Sequence, residues 1–135
     1  MKLQVNDSFS YKFSISEEDV KKFAELSGDT NPIHLDTEYA KNTIFKKPII
    51  HGYLGSSVFS KVLGTMFPGK GTIYLSQNLK FHQPMYTGNL YLSEFSVIEI
   101  DQKKHRAVIK TTIKLASDLS IVTSGEAQIQ NESFL

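Results

Sequence analysis

The 135-residue sequence has no cysteine, which excludes disulfides, thiolate metal sites and a cysteine nucleophile. It also lacks an excess of either charge. Fifteen Lys and Arg stand against fourteen Asp and Glu, a formal net charge of +1. Nucleic-acid-binding surfaces usually carry clustered base and a pI above about 9, so no nucleic-acid partner is expected. No run reaches the roughly eighteen apolar residues of a membrane span. The opening stretch, residues 1–7, lacks the apolar centre of a secretion signal. These absences lead to the expectation of a cytoplasmic chain with no membrane partner. What is present is ordinary: 40% hydrophobic and 21% charged residues, enough apolar material for a packed core. Against about 150 residues per domain, the expectation is one domain spanning 1–135, able to bury roughly two thirds of its unfolded surface.

The hydrophobic period changes along the chain. Phe9, Tyr11 and Phe13 alternate with polar residues, the pattern of a half-buried strand. Ser16 with Asp19 resembles a capping box. Val20, Phe23, Ala24 and Ser27 then follow helical spacing, with Gly28 placed to end the helix. Asn31-Pro32 marks a turn, and Asp36 or Thr37 can cap a short helix through Tyr39 and Ala40. From Gly52 to Phe67, apolar residues cover most of a helix circumference and the gaps hold Gly55, Ser56, Ser57, Ser60 and Gly64. A helix of that kind is normally buried. Beyond Pro68-Gly69-Lys70-Gly71 the period becomes two, and strands fit about 72–82, 89–100, 105–115 and 119–130. The connections 83–88, 101–104 and 116–118 are short enough for hairpins. The sum is an antiparallel meander curled around one buried helix, an α+β arrangement. Open sheet edges in so small a domain invite pairing with a second copy, so a homodimer is expected.

Polar chemistry is densest in Leu26-Ser27-Gly28-Asp29-Thr30-Asn31-Pro32-Ile33-His34-Leu35. A loop bent by Gly and Pro can aim Asp29 and His34 into one cleft, and a carboxylate beside an imidazole suits acid–base work near neutral pH. Spacing alone leaves open an Asx turn with His34 merely at the surface. A calcium loop is not formed, because His34 stands where such a loop needs Gly and Ala40 where it needs Glu. His34 and His51 show no recognised zinc-ligand spacing, so no metal is expected. Gly64 to Gly71 nearly spells a P-loop, but it ends a helix and opens a strand, the reverse of the required context. No Gly-x-Ser-x-Gly elbow occurs. In Pro48-Ile49-Ile50-His51-Gly52, the glycine at the helix start offers an unshielded backbone N–H, backed by the helix dipole, to an oxygen that gains negative charge.

Taken together, Ser27-Gly28-Asp29-Thr30-Asn31-Pro32-Ile33-His34, followed after five residues by Ala40, resembles the signature of the MaoC-like, R-specific enoyl-CoA hydratases. Pro48–Gly52 and Pro68–Gln77 resemble the family's downstream blocks, and the similarity covers nearly the whole chain. The resemblance implies a hotdog fold, in which a curved antiparallel sheet wraps a long helix and pairs as a dimer. It implies that Asp29 and His34 are the catalytic pair that activates a water, and that Asn31 helps orient them. It implies further that the Gly52 N–H faces the thioester carbonyl and that Ser60 is a supporting helix serine. The implied reaction is syn hydration of a trans-2-enoyl-CoA to the (R)-3-hydroxyacyl-CoA, with no cofactor. Three alternatives stay open: a 3-hydroxyacyl-acyl-carrier-protein dehydratase, a hotdog acyl-CoA thioesterase and a non-catalytic acyl-binding module.

Overall fold

The computed structural model describes residues Met1–Leu135. Strand β1, Ser8–Phe13, is followed by helix α1, Glu17–Ser27, then by the short helices α2, Pro32–Leu35, and α3, Thr37–Lys41. Helix α4, Gly52–Thr65, precedes the strands β2, Ile73–Gln77; β3, Lys80–Phe81; β4, Tyr91–Asp101; β5, Arg106–Leu115; and β6, Ile121–Gln130.

Local rules account for the helix ends. Ser16 Oγ accepts from the Asp19 N–H at 3.1 Å, and Asp19 Oδ2 accepts from the Ser16 N–H at 3.0 Å, so the capping box is complete. The Ser16 backbone N–H, then its hydroxyl, hold the Asp19 carboxyl below its ordinary pKa. Gly28 ends α1 in the left-handed region at φ 78°, where a side chain would be strained. Asp36 caps α3 by accepting from the Tyr39 N–H at 3.1 Å.

The strands form one six-stranded antiparallel sheet in the order β1-β4-β5-β6-β2, with β3 also on β6. In β5, Ala107, Ile109, Thr111 and Ile113 are buried, and Thr112 of the opposite face is buried as well. Helix α4 adds Val58, Phe59, Val62 and Leu63 to the same core, and the Phe59 ring meets Phe95 of β4 edge-on at 5.8 Å.

Two expectations are corrected. The stretch 72–82 is two strands, and it does not form a hairpin with β4. Both pieces lie on β6, while the neighbours of β4 are β1 and β5. The connection 83–88 therefore crosses the start of α4: the Gln83 N–H reaches the Val122 carbonyl, the Met85 carbonyl accepts from the Ile50 N–H at 2.8 Å, and the Gly88 N–H reaches the Ile15 carbonyl. Short connections permit a hairpin, but the sheet's other edge competes for the strand and wins here. Secondly, α4 is not covered all round. Tyr53, Ser57 and Ser60 are exposed in the single chain.

Candidate active site

Asp29, in the loop between α1 and α2, is held at all but one of its polar atoms. Its N–H donates to Ser27 Oγ at 3.1 Å, and that hydroxyl donates to the Phe23 carbonyl at 2.6 Å. Its Oδ1 accepts from the Asn31 N–H at 3.3 Å. Its carbonyl accepts from His51 Nε2–H at 3.0 Å. Oδ2 alone is left facing the cleft.

Asn31 connects the pair. Besides holding Oδ1 of Asp29 through its N–H, its side-chain oxygen accepts from the Ile33 N–H at 3.2 Å and caps α2. That single helical turn carries His34. The ring lies 2.8 Å through Nδ1 from the Ile49 carbonyl. A carbonyl can only accept, so Nδ1 bears the proton, and in the neutral ring Nε2 keeps its lone pair. Nε2 stands 3.9 Å from Asp29 Oδ2, with the His34 side chain 11% exposed and that of Asp29 50%. The separation is too long for a direct hydrogen bond and suits one water touching both atoms.

Asp29, His34 and Gly52 line a single pocket of about 470 Å³, walled by Phe23, Phe45, Ile50, Phe81 and Met85. That size and mostly apolar lining suit a small organic ligand. Gly52 is the first residue of α4, so its N–H has no intrahelical acceptor, and the positive end of the helix lies at the pocket. A Cβ on Gly52 would come within 2.8 Å of the Phe81 ring. The glycine thus lets the β3 wall lie against the helix start.

Ser60 is not brought to this pocket. Eight residues beyond Gly52, it lies about 12 Å along the helix, and it is exposed. The serine near the helix start is Ser56, whose hydroxyl donates to the Gly52 carbonyl at 2.8 Å.

No spacing rule in the sequence announces His51 or the aromatic walls, because their convergence is made by tertiary packing. His51, at 2% exposure, is buried, and its ring stacks on that of His34 at 3.8 Å and 27°. Donor atoms of Asp29, His34 and His51 lie within 4.8 Å of one another. Nearly parallel rings aim their in-plane lone pairs side by side, however, and not at one point. The set does not suit a tetrahedral zinc ion.

A family model described as the MaoC like domain matches residues 4–118. The (R)-specific enoyl-CoA hydratase of Rhodospirillum rubrum is 39% identical over 127 residues, 94% of this chain and 87% of that protein. The mitochondrial 3-hydroxyacyl-[acyl-carrier-protein] dehydratase of Arabidopsis thaliana is 35% identical over 127 residues, 93% of this chain and 75% of that protein. Among solved structures, the (R)-hydratase from A. caviae involved in PHA biosynthesis superposes with a TM-score of 0.91 at 36% identity, covering 96% of this chain and 97% of that one. The fold is therefore the hotdog fold of those R-hydratases, α+β with its sheet curved about α4. With the signature loop folded as a unit and the family model matching most of the sequence, this chain belongs to the MaoC-like family.

Proposed function

We propose that the chain is an (R)-specific enoyl-CoA hydratase, a hydro-lyase that adds water reversibly across a trans-2-enoyl thioester. The observation that carries this reading is the His34 tautomer: with Nδ1–H given to the Ile49 carbonyl, the free Nε2 faces Asp29 Oδ2 across one water's width.

In the hydration direction, the water oxygen bonds to C3 while Nε2 of His34 takes one of its protons. The C2–C3 π pair moves toward the thioester, and charge gathers on its oxygen, where the Gly52 N–H and the helix dipole meet it. The electron pair then returns, and C2 takes the proton from His34 on the face where the hydroxyl entered. Water is thereby added syn with no other reactant consumed. Asp29, held by Ser27, Asn31 and His51, accepts a hydrogen bond from the water's second O–H, which stays on the oxygen as the new hydroxyl, and its charge offsets the imidazolium. Asn31 positions both groups. The thioester already makes C3 electrophilic, so the reading needs no cofactor. In this mechanism water attacks C3, whereas a thioesterase would direct it to the carbonyl carbon and release free thiol.

A 3-hydroxyacyl-acyl-carrier-protein dehydratase would run the same steps in reverse, and the similarity to the plant relative supports acyl-carrier protein as the alternative carrier of the thioester, which stays intact throughout. The reading includes a homodimer joined through the β2 edge, where Ile73, Tyr74 and Leu75 are exposed.

The test is spectrophotometric turnover of crotonyl-CoA, with chiral analysis of the product. Asp29→Asn and His34→Ala are each expected to stay folded and lose at least about 100-fold in rate, the lower range for lost acid–base catalysis. Near-wild-type rates in both variants would refute the assignment. Thiol release in place of hydration would favour the thioesterase, and undiminished acyl-CoA binding without turnover a binding module.

A further inference from the structure

We infer that His51 is a positioning residue that locks the acid–base pair to the oxyanion donor. The inference rests on the hydratase reading above. Three observations support it, two on the ring and one on the main chain of the same residue. The Nε2–H of His51 donates to the Asp29 carbonyl at 3.0 Å, fixing the loop that carries the carboxylate. One ring face stacks on His34 at 3.8 Å, and Phe23 meets the ring at 4.8 Å in an edge-on arrangement, so His34 has little freedom to tilt. Finally, His51 is the residue immediately before Gly52 and caps α4 through its backbone, with φ −54° and ψ 133°. Its main chain sets where the Gly52 N–H points while its side chain reaches back 22 residues to Asp29. One residue therefore fixes the distance between the group that delivers water to C3 and the donor that receives charge on the thioester oxygen.

The remaining nitrogen argues against a role in packing alone. Nδ1 is buried and has no hydrogen-bond partner, and folding gains nothing from leaving a buried acceptor unpaired. An apolar ring of similar shape would fill the same space between Phe23 and His34 without that penalty. The imidazole brings the one thing such a ring lacks, an N–H at the position of the Asp29 carbonyl. Misplacing a catalytic group by about 1 Å can slow a reaction about 100-fold, so a clamp on two such groups is worth the unpaired nitrogen.

The experiment compares His51→Phe with His51→Gln in the full-length protein. Phenylalanine keeps the stack and removes the donor. Glutamine removes the ring but can place an amide N–H near the position of Nε2. His51→Phe is expected to lower kcat about 10- to 100-fold with KM changed less than about threefold, as for groups displaced from productive geometry. His51→Gln is expected to recover at least half of that loss on a logarithmic scale. A Phe variant with kcat within about threefold of wild type would overturn the inference, as would a Gln variant as slow as Phe. Long-range 1H–15N spectra of the wild-type protein supply a readout that does not depend on folding of the variants or on activity. They are expected to show His51 as the Nε2–H tautomer and His34 as the Nδ1–H tautomer, and a His51 ring protonated on Nδ1 would overturn the inference. If wild-type protein hydrates no enoyl thioester, the functional reading fails by itself, and the tautomer of His51 still decides whether the clamp exists. If wild type is active and both variants match it, the clamp alone fails.

Discussion

At the residue scale, the site depends on groups fixed by the backbone as much as on reactive side chains. Gly52 shows this best, because its N–H can be removed without breaking the helix. Proline is accommodated at the first position of a helix, where the missing N–H has no intrahelical partner. The preceding His51 has ψ 133°, inside the range a residue before proline prefers. Gly52→Pro is thus expected to fold and to lose about 100- to 1,000-fold in kcat, the usual consequence of deleting an oxyanion donor. Gly52→Ala is the control, since it adds a Cβ against the Phe81 ring but keeps the N–H. Because Phe81 is half exposed and its ring can yield, the alanine variant is expected to lose less than about tenfold. Equal losses in the two variants, measured by steady-state hydration, would mean that crowding by Phe81 explains both and that Gly52 donates nothing. The bent loop that carries Asp29 and His34 was legible in the sequence because Gly, Asp, Asn, Pro and His are residues whose local chemistry bends and caps a chain over eight positions. The acid–base role proposed for the two came from the resemblance to the family, since spacing alone left an Asx turn open. His51, Phe23 and Phe81 were not legible, because they come from three other elements and meet only after folding.

At the element scale, the same division holds. Helix α1 could be read to the residue, since its capping box and its left-handed glycine are interactions within a few positions. The break between β2 and β3 could not, because its cause lies about fifty residues away in β6. There a Cβ on Gly125 would stand 1.9 Å from the Asn78 carbonyl oxygen. Asn78 is held in that place by its N–H on the Glu126 carbonyl at 3.1 Å and by its side-chain oxygen, which accepts from the Glu126 N–H at 3.1 Å. Backbone, unlike the tip of a ring, has little room to retreat. Gly125→Ala is therefore expected to destabilise the protein by about 2 kcal/mol or more, toward the upper part of the range for overpacking, lowering Tm by roughly 5–10 °C. Gly64, in α4, offers the opposite case. Nothing lies within 4 Å of a Cβ added there, so Gly64→Ala is expected to stabilise by about 0.5–1 kcal/mol through helix propensity. Urea unfolding of the two variants beside wild type checks both signs. An alanine at 125 that leaves the midpoint unchanged would show that the two strands can separate without loss.

At the scale of the whole molecule, the two sheet edges differ in chemistry. Strand β1 alternates exposed Ser8, Ser10 and Lys12 with half-buried aromatic residues, and a lysine on an edge discourages further pairing. Strand β2 has no such guard. Ile73 is 57% exposed, with Tyr74 and Leu75 beside it, and Tyr53 of α4 is 74% exposed. An ordinary tyrosine is already neutral near pH 7, and partial burial pushes the Tyr74 phenol further up, to about 12. An uncharged apolar strand with unpaired backbone groups is a template for another strand, and the uncovered face of α4 at Tyr53, Ser57 and Ser60 is a second surface left open in the single chain. Pairing of two copies through β2 would bury apolar side chains and satisfy backbone groups together. A charge placed in the middle of that strand should then be poorly tolerated by the dimer and well tolerated by the monomer, because a half-exposed position already meets water. Wild-type protein is expected to sediment as a dimer of about twice the 15.2 kDa chain mass. Leu75→Glu is expected to shift it to a folded monomer at micromolar concentration, while Lys12→Glu, on the other edge, leaves it dimeric. Wild-type protein sedimenting as a monomer would refute the dimer, and a Leu75→Glu variant that stays dimeric would move the interface away from β2.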